Sequence, residues 1–293
     1  MNVEIRHLRS FLVVADELNF TRAAKRLRMS QPSLTRTING LERMLGTQLL
    51  KRTTRQVALT REGERFMADA ARLLRDFDQL LDIGGTSVLR LGFTWLLPDT
   101  WAQQVITRFE RETRVNVELV RRDEEFAGVD MGSADIAVLR GQPVAPGLEV
   151  VRLFQERRVA AVRRNTPLAA QQRIHWDDLA DWPLVLNTVS GTTRPELWPA
   201  NHRPVPSTQV TNFDEWLEAV AANRGVGVVP MSAAYRVVHP AIRFVLLEDA
   251  PPVSVFLAFP RQGSHPFTRQ FVSAAQHVAI PPHTSPPPMR SSA

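Results

Sequence analysis

The chain has 293 residues, of which 44% are hydrophobic, enough for two or three modules with their own cores. It contains no cysteine, which excludes disulfide scaffolds, thiolate metal sites and cysteine nucleophiles. The N-terminal stretch carries charges throughout and has no uninterrupted apolar run, so it predicts neither a signal peptide nor a membrane span. We therefore expect a soluble, cytoplasmic protein without a membrane partner.

Positive charge is concentrated at one end of the chain. Residues 1–65 contain 13 basic and 6 acidic groups, a balance of +7, whereas the remainder has a balance of −1. Such asymmetry is typical of a polyanion-binding domain attached to a near-neutral one. The alternative is a basic surface that serves solubility.

Apolar residues at helical spacing predict three short helices before Gly46. The first helix carries the stripe Leu8, Phe11, Leu12, Ala15 and Leu18. Thr21 is the expected N-cap of the second helix. Ser30 should cap the third helix, with Pro32 in its first turn and Gly46 as its C-cap. The third helix buries the stripe Leu34, Ile38, Leu41 and Leu45.

The opposite face of the third helix is polar and basic, which suits entry into a major groove. Gln31 could pair with an adenine edge, and Arg36 with guanine or a phosphate. The helix N-terminus attracts phosphate through its free N–H groups. The alternative is a three-helix bundle with a solvated face. The candidate DNA-binding residues here are Thr21, Ser30, Gln31, Pro32, Ser33, Thr35, Arg36 and Asn39.

Two short β-prone runs follow Gly46 and flank a basic tip, which predicts a hairpin, or wing. Arg52, Thr54 and Arg55 are its candidate DNA contacts. Arg55 could lie along the phosphates or enter a narrow minor groove. A turn charge that serves solubility is the alternative.

Several runs in this region resemble the DNA-binding signature of LysR-type transcriptional regulators. They are Phe20-Thr21-Arg22-Ala23-Ala24-Lys25-Arg26-Leu27, Ser30-Gln31-Pro32-Ser33-Leu34-Thr35, Leu45-Gly46-Thr47-Gln48-Leu49-Leu50 and Leu59-Thr60-Arg61-Glu62-Gly63-Glu64. The spacing runs without a gap over residues 5–64. The resemblance implies a winged helix-turn-helix whose helix from about Pro32 reads the groove.

A long linker helix should follow Thr60. Its apolar seam is Phe66, Ala70, Leu73, Leu74, Phe77, Leu80 and Leu81, near a 3.5-residue repeat. We expect it to pair with a second copy, and the family resemblance implies dimers and tetramers. The alternative is packing against the protein's own second domain. Residues 84–87 should form a hinge.

Strands alternating with helices after residue 87 predict an α/β sheet with parallel strands. The order resembles the two-lobed effector-binding domain of the same regulators, similar to periplasmic binding proteins, which implies a ligand cleft between the lobes. The fold class is thus α/β multidomain. The expected domains are 1–60 (DNA-binding), 61–86 (linker), 87–280 (effector-binding, with lobe I about 87–158 and 260–280 and lobe II about 159–259) and 281–293 (disordered tail).

Ligands of open α/β sheets bind beyond the carboxyl ends of strands. The residues selected in this way are Thr94, Trp95, Leu96, Thr188, Ser190, Gly191, Thr192, Thr193, Asn212 and Phe213. Hydroxyls and free N–H groups suit an anion. Many family members carry a hydroxyl near the position of Trp95 and Leu96, and this departure indicates a more apolar or aromatic effector, or a cleft that is not used. The alternatives are interface packing for Trp95 and a surface turn for the Ser/Thr loop.

No enzyme motif is evident. The seven histidines lack metal-ligand spacing, there is no P-loop or Gly-x-Ser-x-Gly elbow, and the run Gly225-Val226-Gly227 lacks a third glycine. We therefore predict a transcription regulator without cofactors, controlled by a small anionic or aromatic effector. Its expected partners are double-stranded DNA, further copies of the chain and RNA polymerase. The alternative is a ligand-binding module whose basic head serves only oligomerisation.

Overall fold

The computed structural model describes residues 3–52, 57–81, 88–98, 100–141, 143 and 146–280. The chain divides into two compact units. The N-terminal unit comprises residues 1–87 with 130–133, and the C-terminal unit comprises 88–129 with 134–293.

The N-terminal unit consists of helices and one hairpin. Its elements are α1 (Ile5–Glu17), α2 (Phe20–Arg26), α3 (Gln31–Leu45), β1 (Leu50–Arg52), β2 (Val57–Leu59) and α4 (Arg61–Leu81). Two sequence-based expectations near α2 were wrong. Asn19, not Thr21, is the N-cap of α2, because its side chain accepts hydrogen bonds from the backbone N–H groups of Thr21 and Arg22. Leu18 lies outside the buried stripe, since α1 ends before it and it adopts a left-handed conformation with φ 45°.

Helix α3 forms as the sequence predicts. Ser30 caps it by accepting a hydrogen bond from the backbone N–H of Ser33, and Pro32 lies in the first turn. Gly46 ends it in the left-handed region with φ 69°, where glycine avoids a steric cost. Leu34, Ile38 and Leu41 are fully buried, which leaves the opposite face of α3 outside the core of the unit.

The predicted hairpin is present. Strands β1 and β2 are antiparallel, with Leu50 opposite Leu59 and Arg52 opposite Val57. Two of the candidate DNA contacts at its tip, Thr54 and Arg55, lie outside the described residues.

The seam of α4 is only partly available to a second copy of the chain. Ala70 and Leu74 are buried in a cluster with Leu8 of α1, and Phe66 packs against the same cluster. Leu73, in contrast, is 52% exposed. Helix α1 therefore covers part of the predicted seam, and pairing of α4 with a second copy of the chain stays a prediction. The side chains of Leu80 and Leu81, and residues 84–87 of the expected hinge, are outside the described part.

The first lobe of the C-terminal unit is built on a five-stranded sheet. Its elements are β3 (Val88–Phe93), α5 (Trp101–Thr113), β4 (Asn116–Arg121), β5 (Ile136–Arg140), β6 (Leu148–Glu156), β13 (Val253–Pro260) and α9 (Thr268–His277). The strand order is β4-β3-β5-β13-β6. β3 is parallel to β4 and β5, as expected, whereas β13 is antiparallel to β5 and β6. The pairing of β13 differs from the sequence analysis, which extended the second lobe to about residue 259.

The second lobe is built on a four-stranded and a two-stranded sheet. Its elements are β7 (Arg158–Arg163), α6 (Pro167–Ala170), β8 (Arg173–His175), β9 (Leu184–Asn187), β10 (Pro206–Val210), α7 (Phe213–Ala221), β11 (Gly227–Pro230), α8 (Met231–Arg236) and β12 (Ile242–Glu248). The four-stranded order is β11-β7-β12-β8, and β10 pairs with β9. The chain crosses between lobes once after β6 and again before β13.

Candidate functional site

The exposed face of α3 carries the polar residues that the sequence analysis selected. Gln31, Pro32, Arg36, Asn39 and Arg43 are all exposed, opposite the buried stripe. Ser33 and Thr35 are half-buried beside them. A helix with one face buried and a basic, hydrogen-bonding face exposed has the form needed to enter a major groove.

The arginines of the N-terminal unit differ in whether a carboxylate already neutralises them. Arg22 and Arg26 form ion pairs with Glu17, and hydrogen bonds to Asp16 and Glu17 raise the pKa of Arg26. Arg36 has no ion-pair partner among the described residues, and it is exposed on α3. An unpaired arginine retains its full charge for a phosphate or a base edge.

Arg52, a candidate DNA contact, is held inside the unit. Its guanidinium donates hydrogen bonds to Asn39 Oδ1 at 2.6 Å and to Glu42 Oε2 at 2.7 Å. It also lies 4.8 Å from the ring centroid of Phe20. The second oxygen of Glu42 accepts hydrogen bonds from the backbone N–H groups of Leu49 and Leu50, at 2.9 and 3.0 Å. The ion pair between Glu42 and Arg52 therefore joins α3 to β1, the first strand of the wing.

A cleft in the C-terminal unit brings together residues from three predicted segments. It encloses about 310 Å³ of space outside protein atoms, part of it open to solvent. Its lining is Trp95, Val185, Asn187, Gly191, Thr192, Thr193, Phe213, Trp216, Val228 and Val229. Three aromatic rings, several apolar side chains and a hydroxyl-bearing loop thus surround the same space.

Trp95 of the first lobe packs against Phe213 of the second lobe. Their rings stack with centroids 4.4 Å apart and planes 7° apart, and Phe213 continues to Trp216 at 5.4 Å. The guanidinium of Arg140 lies 5.3 Å from the ring centroid of Trp95 on the first-lobe side. At the start of α7, Asp214 also forms an ion pair with Arg121 of β4 at 3.1 Å. The lobes are therefore joined by both stacked rings and a salt bridge.

Arg158, at the start of β7, is a buried cation behind the hydroxyl loop. It is 4% exposed and donates hydrogen bonds to Thr193 Oγ1 at 2.8 Å, Thr192 Oγ1 at 3.2 Å and the Thr192 carbonyl at 2.9 Å. Its Nε donates to the carbonyl of Pro251 at 2.7 Å. All these acceptors are neutral, and burial lowers the pKa of Arg158 to about 10. The group thus stays protonated near neutral pH, without a carboxylate partner among the described residues.

Some of the predicted effector residues line the cleft, and others do not. Trp95, Gly191, Thr192, Thr193 and Phe213 line the cleft. Thr94, Leu96, Thr188, Ser190 and Asn212 are not part of this lining. Asn212 instead caps α7 by accepting a hydrogen bond from the backbone N–H of Glu215. Ser190 accepts a hydrogen bond from the side-chain amide of Asn187, within a turn.

Several residues of both sites were missed by sequence reasoning. The residues predicted for these sites do not include Arg158, Arg140, Trp216 or Glu42. A sequence signal existed for Arg158, since an arginine opens an otherwise apolar run, Val159 to Val162, that forms a buried strand. Charged residues are rarely buried without a partner or a function.

The described residues form neither a metal-binding cluster nor a membrane-spanning helix. Within the described ranges, no group of three or more histidine, aspartate or glutamate side chains could hold a metal ion. No helix in the same part of the chain is both long and apolar enough to cross a membrane.

Two family models match the chain. One, described as a bacterial regulatory helix-turn-helix protein of the lysR family, matches residues 5–64, and the other, a LysR substrate binding domain, matches residues 84–279. The chain belongs to the LysR family. The chain is therefore a DNA-binding transcriptional regulator with an effector-binding domain, and not an enzyme, which confirms the resemblance seen in its motifs.

Similar proteins span nearly the whole chain. YnfL of Escherichia coli K12, described as an uncharacterized HTH-type transcriptional regulator, is 32% identical, with 92% of this chain and 97% of YnfL covered. A crystal structure of the LysR family regulator CbnR is 26% identical with a TM-score of 0.66, over 94% of this chain and 98% of CbnR. CbnR in complex with its target DNA is 25% identical with a TM-score of 0.64, over 94% of this chain and all of CbnR. These likenesses confirm the predicted fold class.

Proposed function

We propose that this LysR-family regulator reads operator DNA with the exposed face of α3, and that Arg36 is its principal base contact. The observation that carries this assignment is the exposed guanidinium of Arg36, which has no ion-pair partner in the described part of the chain and lies on a helix whose opposite face is buried. Gln31, Ser33 and Thr35 lie on or beside the same face and supply further contacts. Thr21, Ser30, Pro32, Asn39 and the wing residues Thr54 and Arg55 complete the proposed interface, and Arg52 supports it through its hydrogen bonds to Asn39 and Glu42.

The test is a comparison of two arginine variants on two duplexes. Full-length protein first selects a consensus duplex from a random library, and binding is then measured on that duplex and on a scrambled one. Arg36→Ala should cost about 1–3 kcal/mol on the consensus and much less on the scrambled duplex. Arg26→Ala removes an exposed but carboxylate-paired arginine, so it should change neither by more than about 0.5 kcal/mol. If Arg36→Ala lost the same binding free energy on both duplexes, Arg36 would contact a phosphate and not a base.

We infer further that the regulator works as a dimer, and as a tetramer on DNA, with α4 as the dimer helix. The exposed Leu73 supports this part, since α1 covers Ala70 and Leu74 but not Leu73. We also propose the division into residues 1–60, 61–86, 87–280 and a tail 281–293, and RNA polymerase as the partner on which the bound regulator acts.

We propose that the effector is a small carboxylate with an aromatic or other planar apolar body. Arg158 is buried, its acceptors among the described residues are all neutral, and an anion in the cleft would offset its charge. Thr192 accepts a hydrogen bond from Arg158, which leaves the hydrogen of its own hydroxyl for an anion in the cleft. Trp95, Phe213 and Trp216 supply the apolar walls.

Matched acid and amide pairs test this proposal. Benzoate and benzamide have nearly the same shape but differ in charge, and so do 2-naphthoate and 2-naphthamide. Tryptophan fluorescence of the full chain should show at least one acid that binds about tenfold or more tightly than its amide, a difference of about 1.4 kcal/mol. Arg158→Gln should abolish the preference. No preference for any acid, or one that survives Arg158→Gln, would refute the assignment.

A further inference from the structure

The side chain of Arg52 fixes the orientation of an amide on the groove-facing side of α3. Arg52 lies on β1, and its guanidinium reaches Asn39 Oδ1 at 2.6 Å while its other terminal nitrogen reaches Glu42 at 2.7 Å. The relative exposure of the Arg52 side chain is 28%, and that of Glu42 is 12%. Phe20 of α2 covers the guanidinium from a third direction, at 4.8 Å. Three elements of the unit therefore hold this arginine in one place.

The chemistry of arginine decides which end of the Asn39 amide points outward. A guanidinium has only hydrogen-bond donors, so the atom of Asn39 that it contacts must be the carbonyl oxygen. The amide NH₂ group of Asn39 is then the end left for a ligand. Asn39 is exposed on the same face as Arg36. It offers two donors outward, while its carbonyl oxygen already accepts a hydrogen bond from Arg52.

We propose that Arg52 is a positioning residue that makes Asn39 a donor-only reader of guanine. This inference rests on the proposed reading of DNA by α3. A free asparagine amide reads adenine by donating to N7 and accepting from the N6 amino group. Because Arg52 on β1 holds the carbonyl oxygen of Asn39 and occupies one of its two lone pairs, Asn39 presents its NH₂ group to the groove in place of that oxygen. Its NH₂ group instead matches the two adjacent acceptors N7 and O6 of guanine.

The charge of Arg52 supports a positioning role over a phosphate contact. Glu42 neutralises it at 2.7 Å, and Glu42 is itself anchored by the backbone N–H groups of Leu49 and Leu50. Bringing Arg52 to a phosphate would break both of its hydrogen bonds and leave a mostly buried carboxylate without its cation. Arg36, which has no such partner among the described residues, has no comparable cost.

The first test uses Asn39 alone, whose exposed side chain can be removed without disturbing the core. Full-length protein and its Asn39→Ala variant each select duplexes from a random library. The wild-type consensus should contain a G·C pair whose preference is lost in Asn39→Ala. If that pair is A·T, or if Asn39→Ala weakens binding to every duplex equally, the proposal is overturned.

The second test uses Arg52→Gln and Arg52→Lys, with Arg26→Gln as the matched control. Both Arg52 variants should lower the ratio of consensus to scrambled binding by about tenfold, and change scrambled binding by less than about twofold. The slope of log affinity against log salt should stay unchanged, because no phosphate contact is lost. The double variant Asn39→Ala/Arg52→Gln should discriminate no worse than Asn39→Ala.

Other outcomes contradict the positioning role. A uniform loss of binding with a salt slope lower by about one would make Arg52 a phosphate contact. If Arg52→Lys kept the wild-type ratio of consensus to scrambled binding, a positive charge at position 52 would be sufficient and the geometry of the guanidinium would not matter. Circular dichroism establishes whether the variants fold, and if both Arg52 variants unfold, the Asn39 selection alone decides. If wild-type protein selects no sequence, both this inference and the proposed reading by α3 fail. If it does select one but the Asn39 pair is not G·C, only this inference fails.

Discussion

The indole ring of Trp95 stacks on the phenyl ring of Phe213 with centroids 4.4 Å apart and planes 7° apart. Trp95 follows β3 of the first lobe, and Phe213 begins α7 of the second. Both rings also line the cleft with Thr192 and Thr193. A ligand that enters the cleft therefore contacts the same rings that join the lobes, which connects occupancy of the cleft to the arrangement of the lobes.

Replacement of Trp95 should weaken ligand binding more than it weakens folding. Trp95 is half-buried, and an aromatic pair contributes about 0.5–1.5 kcal/mol beyond area burial. We expect Trp95→Ala to lower affinity for a binding acid by about tenfold or more and to remove part of the fluorescence change. Trp182→Phe, in the second-lobe core and outside the cleft lining, is the control. If Trp95→Ala bound the acid with unchanged affinity, Trp95 would serve only to pack the two lobes together.

Binding of an acid should depend on pH through Arg158. Burial lowers the pKa of Arg158 from its ordinary value to about 10, so the unfolded chain binds this proton more tightly and the stability contributed by this group rises as pH passes about 10. Anion binding needs the charged form, so affinity should be constant from about pH 6 to about pH 8 and fall above about pH 10. Titration calorimetry at several pH values measures this. Affinity that falls between pH 6 and pH 8 would implicate another group.

The N-cap of α2 gives a direct comparison of two neighbouring residues. Asn19 accepts two backbone hydrogen bonds at 2.9 and 3.0 Å, whereas Thr21 lies inside the helix and is exposed. Asn19→Ala should destabilise the N-terminal unit by about 1 kcal/mol, and Thr21→Ala should change its stability by less than about 0.5 kcal/mol. Urea denaturation followed by circular dichroism provides the measurement. A larger loss of stability in Thr21→Ala than in Asn19→Ala would show that Thr21 is the cap.

Self-association should depend on Leu73 of α4. A charge at this 52% exposed position would face the proposed second copy, while folding of the N-terminal unit should remain intact. We expect Leu73→Asp to shift sedimentation from dimer or tetramer toward monomer. Val238→Asp, at an apolar position that is 95% exposed in the C-terminal unit, is the control. A dimer unchanged by Leu73→Asp would exclude this part of α4 from the interface.

The N-terminal unit was predictable because its signals are local. Ser30, Pro32 and Gly46 set the ends of α3, and the spacing of Leu34, Ile38 and Leu41 sets its buried face. The cap of α2 was misplaced because Asn19 and Thr21, two positions apart, could both serve, and the choice depended on where α1 ends. The burial of Ala70 and Leu74 by α1 depends on tertiary packing that periodicity alone does not specify.

The cleft was only partly predictable because it joins segments far apart in sequence. The rule on strand ends selected Trp95, Thr192 and Phe213, which line it. It could not select Arg158, which acts from behind the loop through hydrogen bonds to Thr192 and Thr193. The alternation of strands and helices after residue 87 was predictable, but the antiparallel pairing of β13 with β5 and β6 was not, because it joins segments far apart in sequence.

The most direct test of the account is the affinity of the full chain for its selected duplex relative to a scrambled duplex, at about 0.15 M salt. If α3 reads base edges, the selected duplex should bind about 10³-fold or more tightly and contain two related half-sites. If the two duplexes bind within about twofold of each other, the basic face of α3 contacts only phosphates, and the central claim is contradicted.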